Sequence, residues 1–179
     1  MIADVGFERF AACRLIPLTR DETINEAEGC HAYVEHLQHE HGRLNQLLLA
    51  IGHEVAELSK AGQPEDAIAH LAQRLADLRQ QLQAHFAEEE TGGCLEEAVT
   101  RCPSLSGDSK TIVAEHPLLD HMLEQLVAQT RNPAVRPADV QRDYGAFAEK
   151  LHTHEAAESR LLQMAFGAEA ADYDVEGAD

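Results

Sequence analysis

The amino-acid sequence predicts an all-α protein: an up-down-up-down four-helix bundle with an N-terminal arm or short helix. Three observations carry that prediction. Apolar residues recur at alternating steps of four and three along four separate stretches, the period that keeps side chains on one face of a helix. Aromatic residues make up only 4% of the 179 residues while Ala, Leu, Glu and Gln abound, a composition that suits helices better than strands. Two of the three connections, at 61–63 and 132–136, are short, and short connections make antiparallel neighbours. The length fits one domain, with residues 1–30 as the arm or short helix, 31–166 as the bundle and 167–179 as an acidic tail.

Taken in order, residues 1–30 show no clear period. Phe7, Phe10, Leu15, Ile16 and Leu18 are the residues that would pack an arm against the body. Thr19 with Glu22, and Thr23 with Glu26, both have capping-box spacing, so a helix start is expected at one or the other. The first long helix is expected over about 30–60, on the stripe Val34, Leu37, His41, Leu44, Leu48, Ile51, Val55 and Leu58, with Gly62 as its stop. Pro64 opens the second in its first turn, followed by Glu65 and Asp66 at the positive end of the helix dipole. Its stripe is Leu71, Leu75, Leu78, Leu82, His85 and Glu89, and Gly92 and Gly93 break or bend it. The connection that follows has room for a short helix at 94–101. Ile112, His116, Leu119, Leu123 and Leu126 mark the third long helix. Pro117 leaves two starts open, one near His116 with the proline in the first turn, the other near Ser109 with a kink. Asn132 and Pro133 end it. Pro137 opens the fourth, which runs to about 166 through Val140, Tyr144, Phe147, Leu151, His154, Glu158, Leu161 and Ala165.

Charge removes several function classes. With 32 acidic and 14 basic residues the net charge is -18, against nucleic acid, which needs a basic footprint, and against anionic membrane surfaces. No apolar run approaches the ~20 residues of a membrane span. Asp4 and Glu8 interrupt any signal pattern, so a cytoplasmic protein is expected. Cys13, Cys30, Cys94 and Cys102 form no CxxC pair and read as thiols rather than as disulfides or a zinc ribbon.

Chemistry enters where the apolar stripes are interrupted. His85 and Glu89 take positions where leucine is due, and His154 and Glu158 repeat the pattern. His41 lies 20 residues before the first short connector and His85 lies 22 after it; His116 and His154 lie 16 before and 18 after the second. At ~1.5 Å per residue each pair is level. An antiparallel bundle therefore gathers His41, His85, Glu89, His116, His154 and Glu158 in one layer, at the end crossed by the long connection. HxxxE or HxxxD spacing alone is weak, since His31–Glu35, His36–Glu40, His53–Glu57 and His116–Asp120 share it. On an exposed face such pairs are ordinary ion pairs worth under ~0.5 kcal/mol. Buried, two carboxylates facing imidazoles are costly unless cations reverse the balance. Imidazole suits iron, zinc, copper or nickel, and carboxylate suits iron or manganese. Each glutamate can bridge two ions, and six protein ligands leave positions on two six-coordinate irons for an oxo or hydroxo bridge and a small diatomic ligand. Leu37, Leu44, Leu82, Leu119 and Leu151 would keep that pocket dry. Asp120 is a candidate to support the ligands through hydrogen bonds, and His121 reads as a supporting or surface residue, with a ligand role as its alternative. No catalytic residue is identified, and Tyr144 reads as core.

These stretches resemble the hemerythrin-like, HHE cation-binding family. The matching motifs are Glu40-His41 in EHGRL, HFAEEE from His85, Glu115-His116 in EHPLLDHML and HEAAESRLL from His154, within residues 31–166. The resemblance implies a bundle around a non-haem di-iron centre. Its ligands would be His41, His85, Glu89, His116, His154 and Glu158, with both glutamates bridging. Zinc or manganese are the alternative metals. Oxygen-carrying hemerythrins have a second histidine four residues along the third helix, where this chain has Asp120, and an aspartate five residues after the fourth-helix histidine, where it has Glu158 at four. The set of four histidines and two glutamates is closer to the iron–sulfur repair proteins of nitrosative stress and to iron-sensing domains. The resemblance implies a module that binds O2 or NO or handles iron, in sensing, storage or stress response; the alternative is a di-iron enzyme, a peroxidase, oxidase or nitric-oxide reductase of the repair type. No protein partner is indicated.

Overall fold

The structure, a computed structural model, describes the backbone of residues 20–58, 65–91 and 94–172 and the side chains of 34–58, 67–91 and 94–167. Among the described residues five α-helices follow one another, α1 (Arg20–Glu57), α2 (Glu65–Thr91), the short α3 (Cys94–Arg101), α4 (Ser106–Thr130) and α5 (Pro137–Asp172), with a 3-10 turn, Pro103–Leu105, before α4. No strand occurs among the described residues. The expected arm at residues 1–19, the stop at Gly62, the start at Pro64, the break at Gly92 and Gly93 and the tail at 173–179 lie outside the described residues.

Two boundaries differ from expectation. The first helix starts at Arg20, directly after the first of the two capping-box threonines, so residues 20–30 extend α1 rather than forming an arm. The α4 helix starts at Ser106, earlier than either expected start, and runs on through Pro117. A proline inside a helix costs ~3 kcal/mol, because it removes an N–H and crowds the carbonyl four residues back. Burial of Leu105, Ile112 and His116 on the preceding turns offsets that cost, and the pyrrolidine ring itself faces out. The reading of the cysteines as thiols fails at Cys102, which is disulfide-bonded. Missing CxxC spacing excludes a local metal knuckle but carries no information on which distant cysteines meet.

The long helices close a ring in which α1 packs on α2 and α5, α2 on α4, and α4 on α5. Inside it lie two apolar clusters. The larger holds Leu44, Leu48, Ile51, Leu71, Leu75, Leu78, Leu82, Phe86, Leu119, Leu123, Leu126, Tyr144, Phe147 and Leu151 among its members. The smaller joins Leu37, Ile112, Leu161, Leu162 and Phe166 to Cys94, Leu95, Ala98, Cys102 and Leu105 of the α3 segment. The α1, α4 and α5 helices cross from one cluster to the other at polar residues, His41 between Leu37 and Leu44, His116 between Ile112 and Leu119, and His154 and Glu158 between Leu151 and Leu161, while α2 ends on the larger cluster with His85 and Glu89 and α3 takes up the smaller one at Cys94. The α3 segment thus caps the polar layer with apolar side chains. At the far end Tyr144 donates its hydroxyl to the Leu48 carbonyl at 2.5 Å, and a Cβ on Gly52 would lie 3.3 Å from the same ring, so α1 and α5 approach closely there. No described helix is long and apolar enough to cross a membrane.

Candidate metal centre

Six side chains from four helices meet in the polar layer: His41 from α1, His85 and Glu89 from α2, His116 from α4, and His154 and Glu158 from α5. None is more than 7% exposed. Their burial follows from the stripe, because each stands where a leucine would otherwise face the core. The donor atoms sort into two groups, each within 4.8 Å: His41, His85, Glu89 and Glu158 in one, Glu89, His116 and His154 in the other. Glu89 is common to both. Its Oε1 lies 2.6 Å from His85 Nε2 and its Oε2 lies 3.1 Å from His116 Nε2. Glu158 Oε2 lies 3.2 Å from His41 Nε2.

These separations are short, yet the angles are wrong for hydrogen bonds. The Nε2 atoms of all four histidines, both oxygens of Glu89 and Oε2 of Glu158 are buried without an aligned partner. So many orphaned acceptors in one dry layer would cost several kcal/mol. Lone pairs that converge on shared points, instead of on one another's protons, fit a cation at each point. The residues present therefore fit two metal ions of the kind that takes both imidazole and carboxylate.

Electrostatics agree with that reading. Burial works against the Glu89 charge, but the imidazoles of His116 and His85 outweigh it and hold the carboxyl at about 2. Burial prevails at Glu158 and pushes it above the usual carboxylate range, with the neighbouring Glu89 charge adding to the effect. Burial pushes His154, wholly enclosed, down toward the neutral form a metal ligand needs, whereas at His85 and His116 the Glu89 carboxylate outweighs burial and pushes both up.

Two imidazoles are held from behind. His116 Nδ1 lies 2.8 Å from Glu90 Oε1, and His154 Nδ1 lies 3.2 Å from Glu115 Oε2. Glu115 also pairs with Lys150. An imidazole that donates through Nδ1 carries its lone pair on Nε2, so these contacts aim both rings at the layer. Phe86 stacks on His116 with centroids 4.0 Å apart and planes 2° apart, and meets His154 edge-on at 5.5 Å. On the α1–α5 side Asn45 donates to the buried Glu155 at 3.2 Å. A surface hollow on α5, lined by Glu149, His152, Thr153, Ala156, Ala157 and Arg160, touches none of the six.

Asp120 and His121 are not placed beside the donor groups. Asp120 accepts two bonds from Arg79, both at 2.8 Å, and one from Gln83 at 2.7 Å, which ties α4 to α2 across the surface. His121 is exposed and bonds to Gln125 at 2.9 Å. His121 lies ~140° around the helix from His116, whereas Asp120 lies only ~40° away and is held aside by Arg79 and Gln83. His121→Ala should therefore leave metal per chain unchanged, as measured by elemental analysis after loading; a stoichiometric loss of one ion would make His121 a ligand. The residues that do back the histidines, Glu90 and Glu115, were missed because each lies one position off a stripe. The available signal was the Lys150–His154 spacing of four, which sets a cation and an imidazole side by side opposite a glutamate.

The family model for the hemerythrin HHE cation binding domain matches residues 32–166. No curated protein and no solved structure matches the chain.

Proposed function

Because the chain belongs to the hemerythrin HHE cation-binding family, we propose that it holds two iron ions through His41, His85, Glu89, His116, His154 and Glu158 and binds a small diatomic ligand, O2 or NO, as a sensor or stress-response module. Two reduced irons would supply the electrons that make such a ligand bind. The observation that supports this reading is the layer of unpartnered Nε2 and carboxylate oxygens between two apolar clusters. Four histidines and two glutamates give seven donor contributions to two positions when Glu89 is shared, which leaves coordination open for an exogenous ligand. The histidines and Glu89 fix the ions, Glu90 and Glu115 orient two of the rings, and the leucines above and below exclude water. The net charge of -18 speaks against nucleic acid as the partner.

The test is metal loading followed by gas titration. The protein as purified, and after anaerobic ferrous loading, should carry two irons per chain, and addition of O2 or NO should change its visible absorption reversibly. Iron-loaded protein with an unchanged spectrum would overturn the gas-binding reading. Consumption of many equivalents of NO or peroxide per chain would replace it with the enzyme reading.

A further inference from the structure

We propose that divalent cations reach the polar layer along α5, over Glu149, His152 and Glu155, and that Glu155 with Asn45 is their last holding point before the position of His41 and His85. The inference rests on the reading of the layer as a metal centre and goes beyond it by giving the ions a route and a separate binding point on the way in.

A buried metal layer poses a problem of access. Apolar clusters close it at both ends, and a dication crosses apolar side chains only at great cost. A route has to offer polar donors from the surface to the layer. Two polar side chains that reach the layer are already engaged: Glu90 faces His116, and Glu115 is shared by His154 and Lys150. The seam between α1 and α5 differs.

Along α5, Glu149, His152, Glu155 and Glu158 follow one another at steps of three. Each step advances ~4.5 Å and turns the side chain ~60° backwards around the helix, so the four wind from the outer face to the inner one. Burial follows the winding. Glu149 and His152 are exposed and line the surface hollow on α5. Glu155 is 5% exposed, and Glu158, 1% exposed, lies 3.2 Å from His41. All four carry a carboxylate or an imidazole, the donors that first-row divalent cations accept.

The third member of the series sits in a built site. Asn45, one turn after His41 on α1, donates to Glu155 Oε2 at 3.2 Å. His152 Nδ1 lies 3.9 Å from the same oxygen. Glu155 Oε1 and Asn45 Oδ1 are then both left buried without a partner. Two touching side chains that each leave an acceptor oxygen unpaired in a core point to a ligand, and oxygen donors of this kind suit a divalent cation. Neither residue belongs to the two donor groups of the layer, so the point is distinct from the metal positions. The net charge of -18 draws cations to the surface from which the series starts. At Glu155 an ion exchanges water for protein oxygens before it meets the imidazoles.

The experiment follows metal transfer in both directions in the full chain, with cobalt(II) as the probe because its visible absorption reports its coordination. Loaded protein is emptied by excess chelator. Metal-free protein, its helix content checked by circular dichroism, is reloaded. A transit site changes rates and leaves the end point alone. Glu155→Gln should slow loading by about ten-fold or more and slow release in the same proportion, while the final content stays at two ions per chain. His152→Lys places a cation on the exposed part of the route and should slow loading as well; it decides the matter where Glu155→Gln fails to fold. Glu124→Gln removes one negative charge beside Arg79, on the α2–α4 side, and should load like wild type. Wild-type rates in Glu155→Gln or in His152→Lys would overturn the route. Loss of one ion per chain in Glu155→Gln would overturn it too, by making Glu155 a ligand. Equal slowing in Glu124→Gln would assign the effect to the field of the whole protein and overturn it likewise. A wild type that takes up no cobalt would instead overturn the metal-centre reading itself, and the two failures are thereby told apart.

Discussion

Glu89→Ala is expected to empty both metal positions, whereas Glu158→Ala is expected to weaken chiefly the position shared with His41 and His85. Only Glu89 has one oxygen beside a histidine of each group, 2.6 Å from His85 and 3.1 Å from His116. Its removal leaves three donors at one position and two at the other. It also removes the negative charge between two cations. Two unit charges 4 Å apart repel by about 4 kcal/mol at an effective dielectric of ~20, and dications repel more. A factor of about a thousand in binding follows from that figure alone, before any lost coordination is counted. Glu158 enters one group only, beside His41, so its loss should leave the ion held by Glu89, His116 and His154 in place. Metal per chain and the magnetic coupling between irons distinguish the cases. A Glu89→Ala protein that kept two coupled irons would remove Glu89 from the bridge, and the layer would then need another shared anion.

The contrast between Glu89 and Glu158 marks a limit of sequence reasoning. Both stand four residues after a histidine on an apolar stripe, and the spacing alone makes them equivalent. It brought His41, His85, Glu89, His116, His154 and Glu158 to one level because helical rise is nearly constant and the connectors are short. What it could not carry is rotation about each helix axis and the rotamer of each carboxylate, and these decide which oxygen faces which ring. The same blindness explains Asp120. Its distance along the chain from His116 invited a supporting role, but its direction is set by Arg79 and Gln83 on a neighbouring helix, two residues unrelated to it by any local period. Pro117 taught a third lesson. Propensity left two starts open, near His116 or near Ser109 with a kink at the proline, and tertiary burial of Leu105 and Ile112 carries the helix back to Ser106. The resemblance to a known family implies iron, whereas spacing and geometry name no metal, since the same donors would accept several first-row ions.

Leu78→Ala is expected to cost ~2–5 kcal/mol of stability while leaving two metals per chain. Leu78 has no exposed surface and sits deep in the larger apolar cluster, with Leu75 and Leu82 one turn to either side on α2. Deleting its isobutyl group removes transfer free energy and leaves a cavity that four rigid helices cannot close. Seven residues, ~10 Å of helix, separate it from His85. That distance puts Leu82 between the cavity and the layer, and the smaller cluster under α3 lies beyond it on the other side. The damage should therefore be global in energy and local in geometry. Denaturant melts of metal-free and metal-loaded protein separate the two. Bound metal adds its own stabilisation to the native state through mass action, and that increment should be the same in wild type and variant if the layer is untouched. An increment that collapsed in Leu78→Ala would mean that the larger cluster sets the ligand geometry directly. A melt that barely moved would mean that Leu78 does not face the core, and the stripe from Leu71 to Glu89 that positions His85 would have to be turned on its axis.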